Sequence, residues 1–235
     1  MQSTNPFSVA FELILSGDEN LLEIVSLSLQ VSSLSVVISL LIGLPIGALL
    51  ATKIFPGRAF LIIFFNALLG LPPVVVGLAL YLLLSRNGVL GFADILYTPA
   101  AMMLAQLILI LPIAIALSRQ ILEQLHHEYD KLFLSLGVKN WQKMKVILID
   151  ARASLITIAL ACAGRALSEV GAIIIVGGNI NHVTRMMTTA IALETSRGEL
   201  ALAMALGLIL LGIALIINIA SQLVKSYLER EIYHV

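Results

Sequence analysis

The sequence predicts an all-α protein that crosses a membrane about five times, and three observations carry that reading. Of 235 residues, 60% are hydrophobic and only 12% charged, with a mean hydropathy of +1.04, where soluble domains carry about 25% charged residues. The apolar residues gather in five runs, each near the roughly 20 residues needed to cross about 30 Å of hydrocarbon. Between those runs the basic residues are lopsided: ten of the 14 Lys and Arg fall in alternate segments on one side and three on the other. Loop lysines and arginines concentrate on the cytoplasmic side, which predicts an outer N-terminus and an inner C-terminus.

Residues 1–20 contain no Lys or Arg but hold Glu12, Asp18 and Glu19. A basic n-region is missing, so no cleavable signal is expected, and the segment reads as extracytoplasmic. The first run, about 22–52, is Ser-rich early and carries Gly43, Pro45 and Gly47 late. Those small residues admit a close helix neighbour and the proline predicts a kink. Lys53 and Arg58 mark a short inner loop. The second run, about 59–84, holds Pro72 and Pro73 in sequence. Together they remove two backbone donors within the membrane, so protein or a water-lined path must satisfy the freed carbonyls. An outer loop follows, with a turn signal at Asn87-Gly88 and Arg86 as its only basic residue.

The third run, about 99–117, has Pro112 near its inner end and leads into a polar island, 118–152, with six basic residues: Arg119, Lys131, Lys139, Lys143, Lys145 and Arg152. Leu132, Phe133, Leu136 and Trp141 sit among these charges and Gly137 breaks the run. That pattern predicts two short helices joined at Gly137, with an apolar face for a protein partner or for lipid headgroups. The fourth run, about 153–178, contains Arg165 and Glu169, one helical turn apart and able to neutralise each other. Charges at that depth face protein or water, which suits an ion pair between helices or a path lining. The outer segment 177–198 has a short helical middle at 186–193. The fifth run, about 199–224, ends before Lys225 and Arg230, and about eleven residues follow it. The expected domain plan is therefore an outer segment 1–20, a transmembrane domain 21–225 with a cytoplasmic loop at about 119–152, and a tail 226–235 without an appended regulatory domain.

Chemistry is sparse. The net charge is zero, so nothing points to nucleic acid. Lone Cys162 excludes a disulfide framework or a cysteine metal cluster and reads as packing. No phosphate-binding glycine-rich loop is present, so ATP-driven work needs a separate ATPase. His126, His127, His182 and His234 fall in expected loops or tails, which disfavours a membrane metalloprotease or a serine protease.

The polar island resembles the cytoplasmic loop of ABC-importer permeases, in which Glu-Ala-Ala is followed by Gly and then by an Ile-x-Leu-Pro segment. Gly137 and Ile147 fall on the Gly and Ile; Lys131, Leu132 and Phe133 replace Glu-Ala-Ala, and Asp150 replaces the Pro. Two further stretches, LPPVVVGLALYLLLSRNGVLG at 71–91 and GRALSEVGAIIIVGGNI at 164–180, resemble blocks of molybdate and tungstate importer permeases, with Val170 where Phe is common. The continuation HVTRMMTTAIALETSRGELALAMALGLIL is most similar to the tungstate type. The resemblance covers about 20–225. It implies a type I ABC-importer permease core, working as a homodimer with two ABC ATPase subunits and a periplasmic or lipid-tethered oxyanion-binding protein. It implies no cofactor on this chain, with ATP and Mg held by the ATPase. It makes Lys131, Leu132, Phe133, Leu136, Gly137 and Trp141 the expected ATPase-coupling residues, on a helix at about 127–138 followed by 139–145. Pro72, Pro73, Gly77, Arg165, Glu169, Gly171 and Asn179 become candidates for the translocation path. Molybdate or sulfate is the alternative cargo. An ion-coupled secondary transporter is the rival mechanism, disfavoured because Glu169 is the only candidate intramembrane acid and no inverted repeat is visible.

Overall fold

The computed structural model describes residues 6–233; residues 1–5 and 234–235, His234 among them, lie outside. Among the described residues the chain is helical, with no strand. In order, α1 is Pro6–Ser16, α2 Glu19–Thr52, α3 Arg58–Leu68, α4 Pro73–Leu84, α5 Pro99–Ser135, α6 Asn140–Asp150, α7 Arg152–Leu167, α8 Gly171–Gly177, α9 Met187–Arg197 and α10 Leu200–Tyr233, with a one-turn 3₁₀ helix at Gly91–Ala93. Helices α2, α5 and α10 are each long and apolar enough to span a membrane, and the bent pairs α3–α4 and α6–α7 bring the total to as many as five.

Three boundaries differ from the sequence reading. The second run is two helices, because Pro72 stands extended (φ −67°, ψ 125°) as the N-cap and Pro73 opens α4. A first-turn proline forfeits an N–H that has no helical partner anyway, and the Pro72 carbonyl accepts from Val75 and Val76. The third run does not stop at 117. Helix α5 carries on through the polar island to Ser135, since no Gly or Pro occurs between Pro112 and Gly137 and residues such as Leu, Glu, Gln and Lys sustain a helix in water. The fourth run breaks after Leu167, and α8 resumes only at Gly171. Conversely, α2 runs through Pro45 unbroken, and α9 falls on the segment where the sequence predicts a short helix, though it extends to Arg197.

The chain folds as two compact units. The first comprises residues 1–35, 71–108 and 163–216. Its apolar core joins Ala10 of α1, Leu21 and Ile24 of α2, Met187 and Ala190 of α9, and Ala205 and Leu206 of α10. Ser28 and Ser32 of α2 are also buried; the Ser28 hydroxyl donates to the Ile24 carbonyl at 2.7 Å and accepts the Met187 N–H at 2.7 Å. Lipid cannot satisfy such groups, so buried hydroxyls in a membrane helix bond internally.

The second unit comprises residues 36–70, 109–162 and 217–235. Here α2 meets α5 at small residues, as expected. A Cβ on Gly43 would lie 2.6 Å from Ala114 Cβ, and one on Gly47 would lie 2.9 Å from the Ile115 carbonyl oxygen. Close backbone approach of this kind is how membrane helices associate when burial of apolar surface gives them no driving force. The core of this unit is Ala51, Leu122, Phe133, Ile147 and Ala151.

Candidate functional site

Two places carry the residues singled out by the sequence. The first is the break between α7 and α8. Glu169 is 4% exposed and stands in the break, not on a helix. One carboxylate oxygen accepts the Ala172 N–H at 3.1 Å and the other lies 3.3 Å from an Arg165 guanidinium nitrogen. Its backbone carbonyl accepts the Thr188 hydroxyl at 2.8 Å. An ionised carboxylate held away from water costs several kcal/mol unless paired and hydrogen-bonded, and these contacts are what make the break stable. The Arg165 side chain, in the last turn of α7, is 35% exposed while its partner's is 3% exposed. The guanidinium therefore shows outward from a site whose carboxylate is sealed.

Five of the seven path candidates meet at this break. Gly77 on α4 and Gly171 on α8 let the helices touch: a Cβ on Gly77 would lie 2.9 Å from Ala172 Cα, and one on Gly171 would lie 3.0 Å from Val74 Cγ2 and 3.6 Å from Pro73 Cβ. Pro73, Gly77, Arg165, Glu169 and Gly171 thus form one cluster, with Pro72 capping α4 beside it. Asn179 does not join them. It lies beyond the far end of α8 in a left-handed conformation (φ 50°), where it accepts the Thr189 hydroxyl at 2.9 Å and donates to the Thr189 carbonyl at 3.3 Å. Its place is a loop clamp.

Sequence reasoning missed Gln106. This residue is 0% exposed and its side-chain amide donates to the Ala166 carbonyl at 3.0 Å and the Ser32 hydroxyl at 3.3 Å. It gives a closer donor to a carbonyl at the end of α7 that the Glu169 N–H reaches only at 3.4 Å. The signal was present, because Gln106 is the only polar residue between Ala100 and Leu117.

The second place is the elbow between α5 and α6. Gly137 takes φ 60°, the left-handed region that favours glycine. The Val138 N–H reaches the Phe133 carbonyl at 3.3 Å and the Gly137 N–H reaches that of Leu134 at 3.4 Å, the paired bonds of a Schellman helix end. Gln142 caps the start of α6 by accepting the Lys139 N–H at 3.2 Å. Helix α6 then gives way to α7 with a bend of 65°. The elbow is stiffened from within. The Tyr129 hydroxyl donates to Asp150 at 2.8 Å, and that bond to a carboxylate pushes the phenol above its usual pKa. At its base Arg58 donates to the Leu50 carbonyl at 2.7 Å and to Glu123 at 2.5 Å, and Arg119 holds the other oxygen of Glu123.

This corrects one expectation. Phe133, expected on an outward apolar stripe, is 4% exposed and belongs to the core with Ile147. Its ring lies 5.7 Å from Tyr129 and 5.8 Å below the Lys143 ammonium. Lys131, Leu132, Leu136 and Trp141 do face outward, and Leu134 joins them: Leu132, Leu134, Leu136 and Trp141 are all more than half exposed. Helices α5 and α6 therefore put one aromatic ring inside the elbow and four large apolar side chains outside it. Among the described residues no group of three or more His, Cys, Asp or Glu could hold a metal ion.

Comparison with known proteins places this geometry. Residues 43–232 match the family described as binding-protein-dependent transport system inner membrane component. The tungstate uptake system permease protein of Peptoclostridium acidaminophilum is 37% identical over 212 residues, 90% of this chain and 93% of that one. A probable anion ABC transporter permease protein of Haloferax volcanii is 38% identical over 86% of this chain and 90% of its own length. A sulfate transport system permease protein of Synechococcus elongatus is 28% identical over 92% of this chain and 78% of its own.

Proposed function

The chain belongs to the family of binding-protein-dependent transport system inner membrane components, and from that premise we propose that it is the membrane-spanning subunit of an ATP-driven importer for tungstate. A permease of this class is a multi-pass membrane protein and a transport component, and it works with an ATPase and a binding protein. The observation that carries the cargo is the end-to-end similarity, at 37% identity, to a protein named as a tungstate uptake permease. The sulfate relatives, at 28% identity, support sulfate or another tetrahedral oxyanion as the lesser reading.

In this proposal two copies pair around the path, with N-termini outside and C-termini inside. The ten-to-three distribution of basic residues supports that orientation. The ATPase seats on the outward face of the elbow, contacting Lys131, Leu132, Leu136 and Trp141, while Phe133 and Gly137 give the elbow its shape. Exposed apolar residues amid charges support a protein interface there. ATP binding draws the ATPases together, the elbows follow as stiff bodies, and the membrane helices exchange inward- and outward-open states. Helix α5 is one element from Pro99 to Ser135, so displacement at its elbow end passes along it. Arg165, held by Glu169 but partly exposed, offers a positive group to a passing oxyanion.

The cargo is tested by uptake of labelled tungstate in cells lacking other oxyanion importers and expressing this chain with its ATPase and binding protein. Tungstate uptake that survives a tenfold excess of sulfate or molybdate is expected. Uptake abolished by sulfate at equal concentration would assign the cargo to sulfate.

A further inference from the structure

A cleft of about 370 Å³ opens beside the elbow, lined by Lys53, His126, Asp130, Trp141 and Lys143, with Ile147 among its walls. Among the described residues neither Lys53, Lys143 nor Asp130 is in an ion pair. The ring nitrogen Nδ1 of His126 is buried with no hydrogen-bond partner. Lys143 is held over the Phe133 ring, which fixes the direction of its ammonium. Two ammoniums, a ring nitrogen and a single carboxylate around one open space make a site that is net positive but carries an acceptor.

The depth of the cleft follows from the chain. Helix α3 begins at Arg58 and at once exposes Phe60, Ile63 and Phe64, the surface of a helix in hydrocarbon. Arg58 bonds to Glu123 on α5, so Glu123 stands near the inner edge of that layer. His126 and Asp130 lie three and seven residues further along α5, about 5 to 10 Å at 1.5 Å per residue. The headgroup layer of one leaflet extends about 5 to 8 Å beyond the hydrocarbon. Lys53, exposed beside the start of α3, is a residue type that anchors at this level.

We propose that this cleft binds a phosphate group at the cytoplasmic surface, with Lys53 and Lys143 on its oxygens, and that the source is an anionic phospholipid headgroup. Asp130 sets the headgroup type. A carboxylate beside the phosphate favours a headgroup with hydroxyl donors, such as glycerol, over a bare phosphate monoester. The site is separate from the cargo assignment and stands whichever oxyanion is carried.

Trp141 is the chain's only tryptophan, so its fluorescence reports on this cleft alone. The full chain, purified in detergent free of phospholipid, is titrated with dihexanoyl phosphatidylglycerol, with inorganic phosphate and with dihexanoylglycerol. A saturable change with phosphatidylglycerol is expected, with a midpoint raised about thirtyfold in Lys53→Gln, Lys143→Gln, the effect of removing two basic groups that face an anionic headgroup. Asp130→Asn is expected to weaken phosphatidylglycerol relative to inorganic phosphate severalfold, because it removes both the acceptor for the glycerol hydroxyls and the charge that repels a bare phosphate. A matching midpoint for inorganic phosphate would keep the phosphate site and move its source from lipid to solution. No saturation by either phosphate probe, an equal response to dihexanoylglycerol, or an unchanged midpoint in a double variant of normal helix content would overturn the proposal.

Discussion

The break at Glu169 and the elbow at Gly137 solve opposite problems. Around the break nearly every residue is apolar, and the scarce polar groups are turned inward: Glu169, Gln106 and Thr188 bond to backbone groups where the helix breaks. At the elbow charged residues are interleaved with apolar ones, and one apolar ring, Phe133, is turned inward to hold two helix ends together. The break is stabilised by hydrogen bonds and one ion pair; the elbow is stabilised by packing, a glycine turn and a rim of charges. The two therefore respond to different substitutions. Charge removal strikes the break, and charge insertion strikes the elbow.

The sharpest separation comes from placing a carboxylate at two elbow positions. Phe133→Asp buries an unpaired charge in the core and is expected to cost more than about 4 kcal/mol, seen as rapid proteolysis between residues 118 and 152 and low yield in the membrane. Leu136→Asp, on an exposed residue, should leave the elbow protease-resistant and instead reduce copurification of the ATPase. Equal protease sensitivity of the two variants would erase the distinction between inside and outside faces.

At the break the asymmetry of exposure predicts an asymmetry of effect. Arg165→Gln leaves the sealed Glu169 carboxylate without its cation and should cost about 3 kcal/mol. Glu169→Gln leaves unpaired a guanidinium that is not sealed in the fold (35% exposed, against 3% for its partner) and should cost less, about 1 kcal/mol. Thermal unfolding in detergent of both single variants and the double variant measures this; a larger loss for Glu169→Gln than for Arg165→Gln would contradict the geometry. Next in size, Gly77→Ala should cost about 2 kcal/mol by forcing α4 from the α8 backbone. Gly212→Ala, with open space around it, should be neutral or slightly stabilising. The turn itself is less demanding than the helix contact at Gly77: Gly137→Ala at φ 60° should cost about 1 kcal/mol, with Gly137→Asn milder, both read as faster cleavage of the elbow.

Much of this was legible in the sequence, for physical reasons that also explain what was not. Long apolar runs can do little but span a membrane, so α2, the start of α5 and α10 were readable from hydropathy alone. Gly137 was readable because a lone glycine after an amphipathic stretch ends helices. The break at 168–170 was hidden because no Pro or Gly lies within it; it exists because Glu169 finds the Ala172 N–H and Arg165, contacts that only the fold supplies. The burial of Phe133 was hidden because the rotation of α5 is set by Ile147 on another helix. Gln106 was overlooked although a single amide in an apolar run is a loud signal.

The central claim, an ATP-driven importer subunit for tungstate, is tested most directly in proteoliposomes holding this chain with its ATPase and binding protein. Labelled tungstate should accumulate only when ATP is present on the ATPase side, and accumulation should persist after ionophores collapse all ion gradients. Uptake that proceeds without ATP and stops with the ionophores would contradict the account and mark the chain as an ion-coupled transporter.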